Sequence, residues 1–273
     1  FLCVLLDLSA VSTLIFDLDG VVWRGDAPVA GARESIAKLQ DAGLHCLYAT
    51  NNSSRAPDFY VQKLAAMGIL AAPDDIVTSA SATALYLSRH LPRGFSTYVV
   101  GEDGINSALA NIGARVVGEE EVVTSVDCVV VGIDRTFSYA KLLRAQQFLL
   151  GGALFIATNR DSTFPTENGV VPGAGSIVAS IATAAGREPL SMGKPEPGML
   201  LAILENRALR PSQAAMIGDR LDTDIACAHR AGIGAICVAT GVTSWEEAQA
   251  AQGEQKPDLR LADLPALCQS LGL

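Results

Sequence analysis

FDLDGVVW, residues 16–23, closes an apolar run that begins at Thr13. A short apolar run ended by polar residues reads as a strand buried on both faces, the habit of parallel sheets. In open α/β sheets ligands gather beyond the carboxyl ends of such strands, so Asp17 and Asp19 stand where chemistry is usually placed. Their spacing of two sends both side chains to one side, with Cα atoms about 6.5 Å apart in an extended chain. One carboxylate can then attack while the other reaches the leaving atom. The motif by itself serves equally as a strand-to-turn corner, with aspartates capping the turn and Gly20 supplying an unusual backbone angle.

Two further apolar runs end in polar residues suited to the same task. Residues 44–49 lead into Thr50, Asn51, Asn52 and Ser53, and residues 214–217 lead into Gly218, Asp219 and Arg220. Asp222 and Asp224 follow where a helix is expected to begin. Gly193, Lys194 and Pro195 precede a helix predicted over 196–206, whose prolines stand where a first helical turn tolerates them. The lysine would sit at the helix entrance.

In this order, DLDG at 17–20, TNNS at 50–53, Lys194 within GKPEP, and GDRLDTD at 218–224 resemble the four motifs of the haloacid dehalogenase superfamily of aspartate-nucleophile phosphatases. The resemblance spans nearly the whole chain. It is nearest to the type IIA branch, which includes para-nitrophenyl, phosphoglycolate and pyridoxal phosphatases and nucleotide monophosphatases. TNRDSTFPTENGVVPGAGS (158–176) and MGKPEPGML (192–200) are similar to that branch too. The resemblance implies an α/β fold: a Rossmann-like parallel-sheet core with an inserted α/β cap domain of type 2. It also implies Mg²⁺-dependent hydrolysis of phosphate monoesters through an aspartyl-phosphate.

Chemistry explains the residue types. A phosphate monoester is a dianion, so an anionic nucleophile approaches it only when positive charge and hydrogen-bond donors offset the repulsion. Mg²⁺ takes oxygen ligands, a few of them carboxylates. Asp17 and Asp219 are the expected side-chain ligands, and the family pattern adds the backbone carbonyl of Asp19. Asp224 is expected to support the metal shell, and the role of Asp222 is open. Lys194 would hold both nucleophile and phosphate as a point charge, while Thr50 and the amides around Asn51 and Asn52 donate to phosphate oxygens. Asp17 would carry the phosphoryl group, and Asp19 would protonate the leaving oxygen and then deprotonate water. Asp19 and Asp219 together point away from the dehalogenase chemistry of the superfamily. A phosphotransferase or phosphomutase using the same intermediate is the alternative enzyme, and a non-catalytic phosphometabolite-binding protein the alternative from another class.

The chain has 273 residues, enough for two domains sharing a cleft. Hydrophobic residues make up 49% of it, and with few aromatics the interior should pack with Ala, Val and Leu. A formal charge of −9 weighs against a nucleic-acid or anionic-membrane partner and leaves a small phosphorylated metabolite as the expected one. A homodimer is left open. The cysteines at 3, 46, 128, 227, 237 and 268 show no CxxC spacing and read as reduced core thiols, in keeping with a cytoplasmic protein. His45, His90 and His229 are too few and too scattered for a histidine-rich zinc site or a Ser-His-Asp triad. The opening FLCVLLDLSA has no basic leader and contains Asp7, so neither a signal peptide nor a membrane span is expected there. Because the chain begins at Phe1 rather than Met, a segment upstream is left open.

About 30 residues separate Asp19 from Thr50, one βαβ crossover with a helix over 32–41. Roughly 140 separate Thr50 from Lys194, far more than a helix and strand require, so a domain should be inserted there. Strand-like runs at 97–100, 114–117, 128–133 and 154–157 alternate with helical stretches at 103–111 and 139–149. The expected division is 1–80 core, 81–187 cap and 188–273 core. Substrate choice should live in the cap, in loops at Asp134 and Arg135 and at 159–165. Arg160 would meet a substrate carboxylate or pair with Asp161, and Phe164 would stack on a ring or pack its own loop. Three patterns are rejected or left open. GK at 193–194 has Glu188 where a P-loop needs its first glycine, PGAGS at 172–176 reads as an anion cradle at a helix start or at least equally as a flexible entry to a helix over 176–185, and the acceptor triplet at 52–54 is irrelevant inside a cell.

Overall fold

The computed structural model describes residues 6–166 and 169–273, with the side chains of residues 164–166 outside the described set. Its contacts divide the chain into two compact units, one of Phe1–Thr50, Pro57–Val77 and Lys194–Leu273, the other of Asn51–Ala56 and Thr78–Gly193. The insertion expected from sequence spans 81–187. No helix among the described residues is long and apolar enough to cross a membrane.

The first unit is built on a six-stranded sheet in the order Leu259–Leu261, Gly234–Val238, Ala214–Gly218, Thr13–Phe16, His45–Thr50, Ile76–Thr78. The pairings among the first five strands are all parallel. Thr13–Phe16 is buried along its whole length, as its unbroken apolar run requires. Leu14, Phe16, Tyr48, Ile217 and Ile236 enter one core with Ile36 and Leu39 of the helix Ala32–Asp41. The intervening Ile15, Leu47, Met216 and Cys237 are buried too, so the sheet is covered on both faces. Phe16 pairs with Ile217 on one side and Tyr48 on the other, which brings three strand ends out at one edge of the sheet.

Some elements differ from the sequence reading: the helix expected over 176–185 runs Ala174–Ala185, and the strand expected over 128–133 runs Cys128–Val131. The helix expected from residue 196 runs Gly198–Asn206, because Glu196 precedes Pro197 and the proline ring disfavours helical angles in the residue before it. Where a helix was expected at Asp222 and Asp224, the chain makes a widened π turn, Leu221–Ile225, before the helix Ala226–Ala231. Such wide turns recur at functional sites.

The second unit is a parallel sheet in the order Leu190–Ser191, Leu154–Ala157, Cys128–Val131, Ser96–Val100, Arg115–Val117. Val129 and Val131 enter one core with Phe148 and Ile181, while Cys128 and Val130 enter another with Leu87 and Ile105. The alternation places helices on both faces: Tyr139–Leu150 and Ala174–Ala185 on one, Ser79–His90 and Asp103–Asn111 on the other. An antiparallel ribbon, Thr163–Thr166 with Gly169–Pro172, precedes the helix Ala174–Ala185.

Candidate active site

The sheet order explains why residues distant in sequence meet. Asp17 leaves the central strand with its amide still donating to Ile217 O at 2.8 Å, and Asp219 leaves the neighbouring strand one residue after its end. Thr50 is buried at the end of the strand on the other side. Crossovers on both sides of a central strand leave its carboxyl end open, and ligand sites form at that point.

Lys194 is the hub. Its side chain is only 4% exposed, and its Nζ donates to Asp17 Oδ1 at 2.6 Å and to Ala49 O at 3.4 Å. Asp224 Oδ1 lies 2.7 Å from the same Nζ, an ion pair off the line of a directed hydrogen bond. Asp224 is fully buried, and its Oδ2 accepts from the amide of Arg220 at 3.1 Å. Asp219 is buried too. Its Oδ2 accepts from the amide of Val242 at 2.7 Å, while its Oδ1 is buried with no hydrogen-bond partner among the described residues. Asp17, Asp219 and Asp224 each place a carboxylate oxygen within 4.8 Å of the others.

Glycines make room for this cluster. A Cβ on Gly241 or Gly20 would overlap the carboxylate of Asp219, and one on Gly218 would overlap Asp224. Gly20 also has φ 85, a left-handed angle that favours glycine. The corner is thus a tight turn with Gly20 at the unusual backbone angle expected of it, packed against the carboxylate of Asp219.

Three carboxylates and one ammonium carry a net charge of −2 when all are ionised, out of water. Burial pushes the Asp17 carboxyl well above its usual range, a push that Lys194 opposes and Asp224 assists. Burial, reinforced by Asp224, raises Asp219 to about 6. Burial alone would lower Lys194, but Asp17 and Asp224 more than offset it and hold the ammonium charged. Native Asp219 thus keeps its proton to about pH 6, whereas the unfolded chain releases it near the ordinary 3.8. The native state binds more protons across that window, so this group's contribution to metal-free stability falls as pH rises from about 4 to about 6. Asp219→Asn has no such titration. In chelator, its urea midpoint should gain on the wild type across that window and level off above it, and a constant difference contradicts the assignment.

Asp19 stands apart from the cluster. It is exposed, and its Oδ1 accepts from Trp23 Nε1 at 2.8 Å. Asn51 donates to Asp161 Oδ2 at 2.9 Å, and its carbonyl accepts from Ser79 Oγ at 2.7 Å. Asn52 Oδ1 closes a turn by accepting from the amide and hydroxyl of Ser54. Asn51 Nδ2 and Asn52 Oδ1 are thus engaged within the second unit. Arg160 pairs with Glu188 at 2.9 Å rather than with Asp161, whose Oδ2 accepts from Asn51 and Asn159. The backbone of Phe164 pairs with Val171 in the ribbon, and its side chain lies outside the described residues. Asp134 is buried against Lys141 at 2.8 Å, and Arg135 pairs with Glu102. Asp222 pairs with Arg220 at the surface. Sequence reasoning missed the Val242 amide, Gly241 and Trp23. The glycine shortly after the apolar run 235–238 was the available signal for the first two.

Two family descriptions match the chain: "Haloacid dehalogenase-like hydrolase" over residues 14–115 and "HAD-hydrolase-like" over 191–267. The acid sugar phosphatase of Staphylococcus aureus (strain USA300) is 40% identical over 235 residues, 86% of this chain and 89% of its own. The glycerol phosphate phosphatase of Mycobacterium tuberculosis, solved in complex with magnesium, superposes with TM-score 0.87 at 36% identity, covering 96% of this chain and 78% of its own. A 4-nitrophenylphosphatase from Thermotoga maritima gives TM-score 0.87 at 34% identity over 96% of this chain and 98% of its own. With this likeness running through both the family matches and the parallel-sheet architecture, the chain belongs to the haloacid dehalogenase-like hydrolases.

Proposed function

We propose that the protein is a Mg²⁺-dependent phosphomonoesterase of small phosphorylated metabolites, working through an aspartyl-phosphate on Asp17. The observation that carries this reading is the largely buried cluster of three carboxylates around one ammonium, with Asp219 Oδ1 left without a partner among the described residues. Its excess negative charge and its all-oxygen donor set suit a hard divalent cation. Both oxygens of Asp224 face positive or N–H partners, so Asp17 and Asp219 are the side chains that would hold the ion, with Asp224 bracing Lys194. Bound there, Mg²⁺ would neutralise charge on the phosphoryl oxygens. The glycerol phosphate phosphatase is solved with magnesium, and separately with calcium.

The chain's own residues account for the rest. An Asp17 oxygen attacks phosphorus, forming the new O–P bond as the bond to the leaving oxygen breaks. Asp19 delivers its proton to that oxygen. Water then attacks the aspartyl-phosphate, Asp19 takes a proton from it, and Asp17 is released. Lys194 orients Asp17 and offsets phosphoryl charge, and Thr50 with the amides that follow it in the chain donates to phosphate oxygens. The Asn51 side chain is engaged by Asp161 and Asn52 Oδ1 by Ser54, so the backbone amides are the donors assigned to these two residues. We assign the second unit as the cap that sets substrate choice, with Arg160 and Phe164 as its candidate contacts. The five described cysteines are buried and free, which supports placing the enzyme in the reducing cytoplasm.

Phosphate release from a panel of sugar phosphates, glycerol phosphate, nucleotide monophosphates, pyridoxal phosphate, phosphoglycolate and para-nitrophenyl phosphate tests this reading. Activity should vanish in chelator and return with Mg²⁺. Ca²⁺ should restore it poorly, since its looser, higher coordination disturbs in-line attack. No release from any ester with Mg²⁺, or full activity with metal content verified as zero, overturns it.

A further inference from the structure

We propose that Trp23 is the positioning residue for Asp19: its indole N–H tethers one carboxylate oxygen and so directs the transferable proton onto the other. The inference rests on Asp19 being the acid and base proposed above.

Trp23 is 2% exposed, which is deep burial for a side chain so close to an exposed carboxylate. Its ring is fixed at two places. Nε1 donates to Asp19 Oδ1 at 2.8 Å, and Lys63 Nζ lies 4.6 Å from the ring centroid. Lys63 is itself held by donating to Gly25 O at 2.7 Å. The backbone between the two partners is also tied. Gly20 N donates to Trp23 O at 2.7 Å, and the amides of Val22 and Trp23 both donate to Leu18 O. Thr240 Oγ1 donates to Gly20 O at 2.7 Å, and Arg24 Nε donates to Thr240 O at 2.7 Å. Asp19 is therefore the exposed end of a braced turn.

The donor's chemistry decides what the tether does. An indole N–H only donates, and the carbonyl oxygen of a neutral carboxyl is a better acceptor than its hydroxyl oxygen, so a neutral Asp19 that keeps this bond favours its proton on Oδ2. Oδ2 accepts no hydrogen bond among the described residues, which leaves it as the working oxygen. In the first half-reaction the Oδ2 proton passes to the leaving oxygen as the P–O bond breaks and its electron pair stays on that oxygen. In the second, Oδ2 accepts a proton from the attacking water. The N–H bond to Oδ1 persists through both. Without it the carboxyl turns about a broad two-fold torsion, and the proton divides between two oxygens of which one is misaimed.

The test replaces Trp23 by 3-benzothienylalanine, which keeps the bicyclic shape and puts sulfur in place of the N–H. Trp23→Phe and Asp19→Asn are measured beside it. The readout is kcat/KM, which reports formation of the phosphoenzyme, for glycerol phosphate and para-nitrophenyl phosphate with Mg²⁺. Loss of a well-aimed acid should lower the alkyl ester about tenfold or more and the nitrophenyl ester by less than about threefold, because nitrophenolate leaves without a proton. Asp19→Asn should show the same pattern more strongly. If Asp19→Asn shows it and the sulfur analogue stays near wild type on both esters, the tether is wrong and the acid role stands. Equal losses on both esters in the analogue mean a merely structural tryptophan and also overturn the proposal. Should Asp19→Asn itself lack leaving-group dependence, the acid role fails and the tether's function with it.

Discussion

Asp17→Asn is expected to abolish turnover while leaving the folded protein at least as stable as the wild type. The amide keeps the volume of the side chain but cannot attack phosphorus, and loss of a nucleophile that acts with its neighbours as a unit costs on the order of 10⁴-fold or more in kcat. Stability should move the other way. Asp17 is one of three carboxylates around a single ammonium, and burial already pushes its carboxyl well above its usual range. A neutral residue relieves that cost and still leaves Lys194 paired with Asp224. Single-turnover assays, with mass spectrometry to exclude deamidation, read the first effect, and urea unfolding in chelator reads the second. Wild-type turnover in a variant whose amide is verified intact removes the nucleophile assignment. A variant that no longer folds would show instead that the Asp17 carboxylate is structural.

Lys194→Met should damage both stability and every activity. The ammonium is buried among Asp17, Asp224 and the Ala49 carbonyl, so its removal leaves two carboxylates facing each other with no counter-charge. Breaking a buried pair from one side costs about 3–5 kcal/mol. The deficit should shrink as pH is lowered and the carboxylates take up protons, and addition of Mg²⁺ should recover part of it. For turnover, the proposed mechanism has Lys194 touch the group that all substrates share, and loss of one such stabilising donor lowers rate by about 10²- to 10³-fold. The loss should be similar across the panel, because it does not involve the variable leaving group. Unchanged urea midpoints, or losses confined to a few substrates, would show that Lys194 is neither the hub of the cluster nor a contact to the shared phosphoryl group.

The parts legible in sequence share one property: each is declared by residues close together in the chain. Strands at Thr13–Phe16 and Ala214–Gly218 follow from apolar runs too short for helices and ended by glycine or aspartate. The helix Ala32–Asp41 follows from buried Ala32, Ile36 and Leu39 at helical spacing after Gly31. The second parallel sheet was foreshadowed by a stretch of chain too long for one crossover. The parts that were not legible depend on partners chosen in three dimensions. Arg160 has Asp161 beside it in sequence yet pairs with Glu188, while Asp161 Oδ2 accepts from Asn51 and Asn159. Asn52 lies in the TNNS motif, yet its side chain closes a turn with Ser54.

By itself, the sequence determined which residues end the central strands and therefore which side chains reach the open edge of the sheet: Asp17, Thr50 and Asp219. A slip of one residue would exchange the side chains on the two buried faces of the sheet, Ile15 for Leu14 and Phe16, and would shift each strand end by one position. Only the tertiary structure decided how the charges are shared. It gave Lys194 to Asp17 and Asp224 together, tied one oxygen of Asp219 to the Val242 amide, and left the other without a partner among the described residues. It also turned Asp19 out of the cluster and onto Trp23. Those choices rest on angles and distances of a few ångströms among groups brought together from four segments, and no local pattern of residues encodes them.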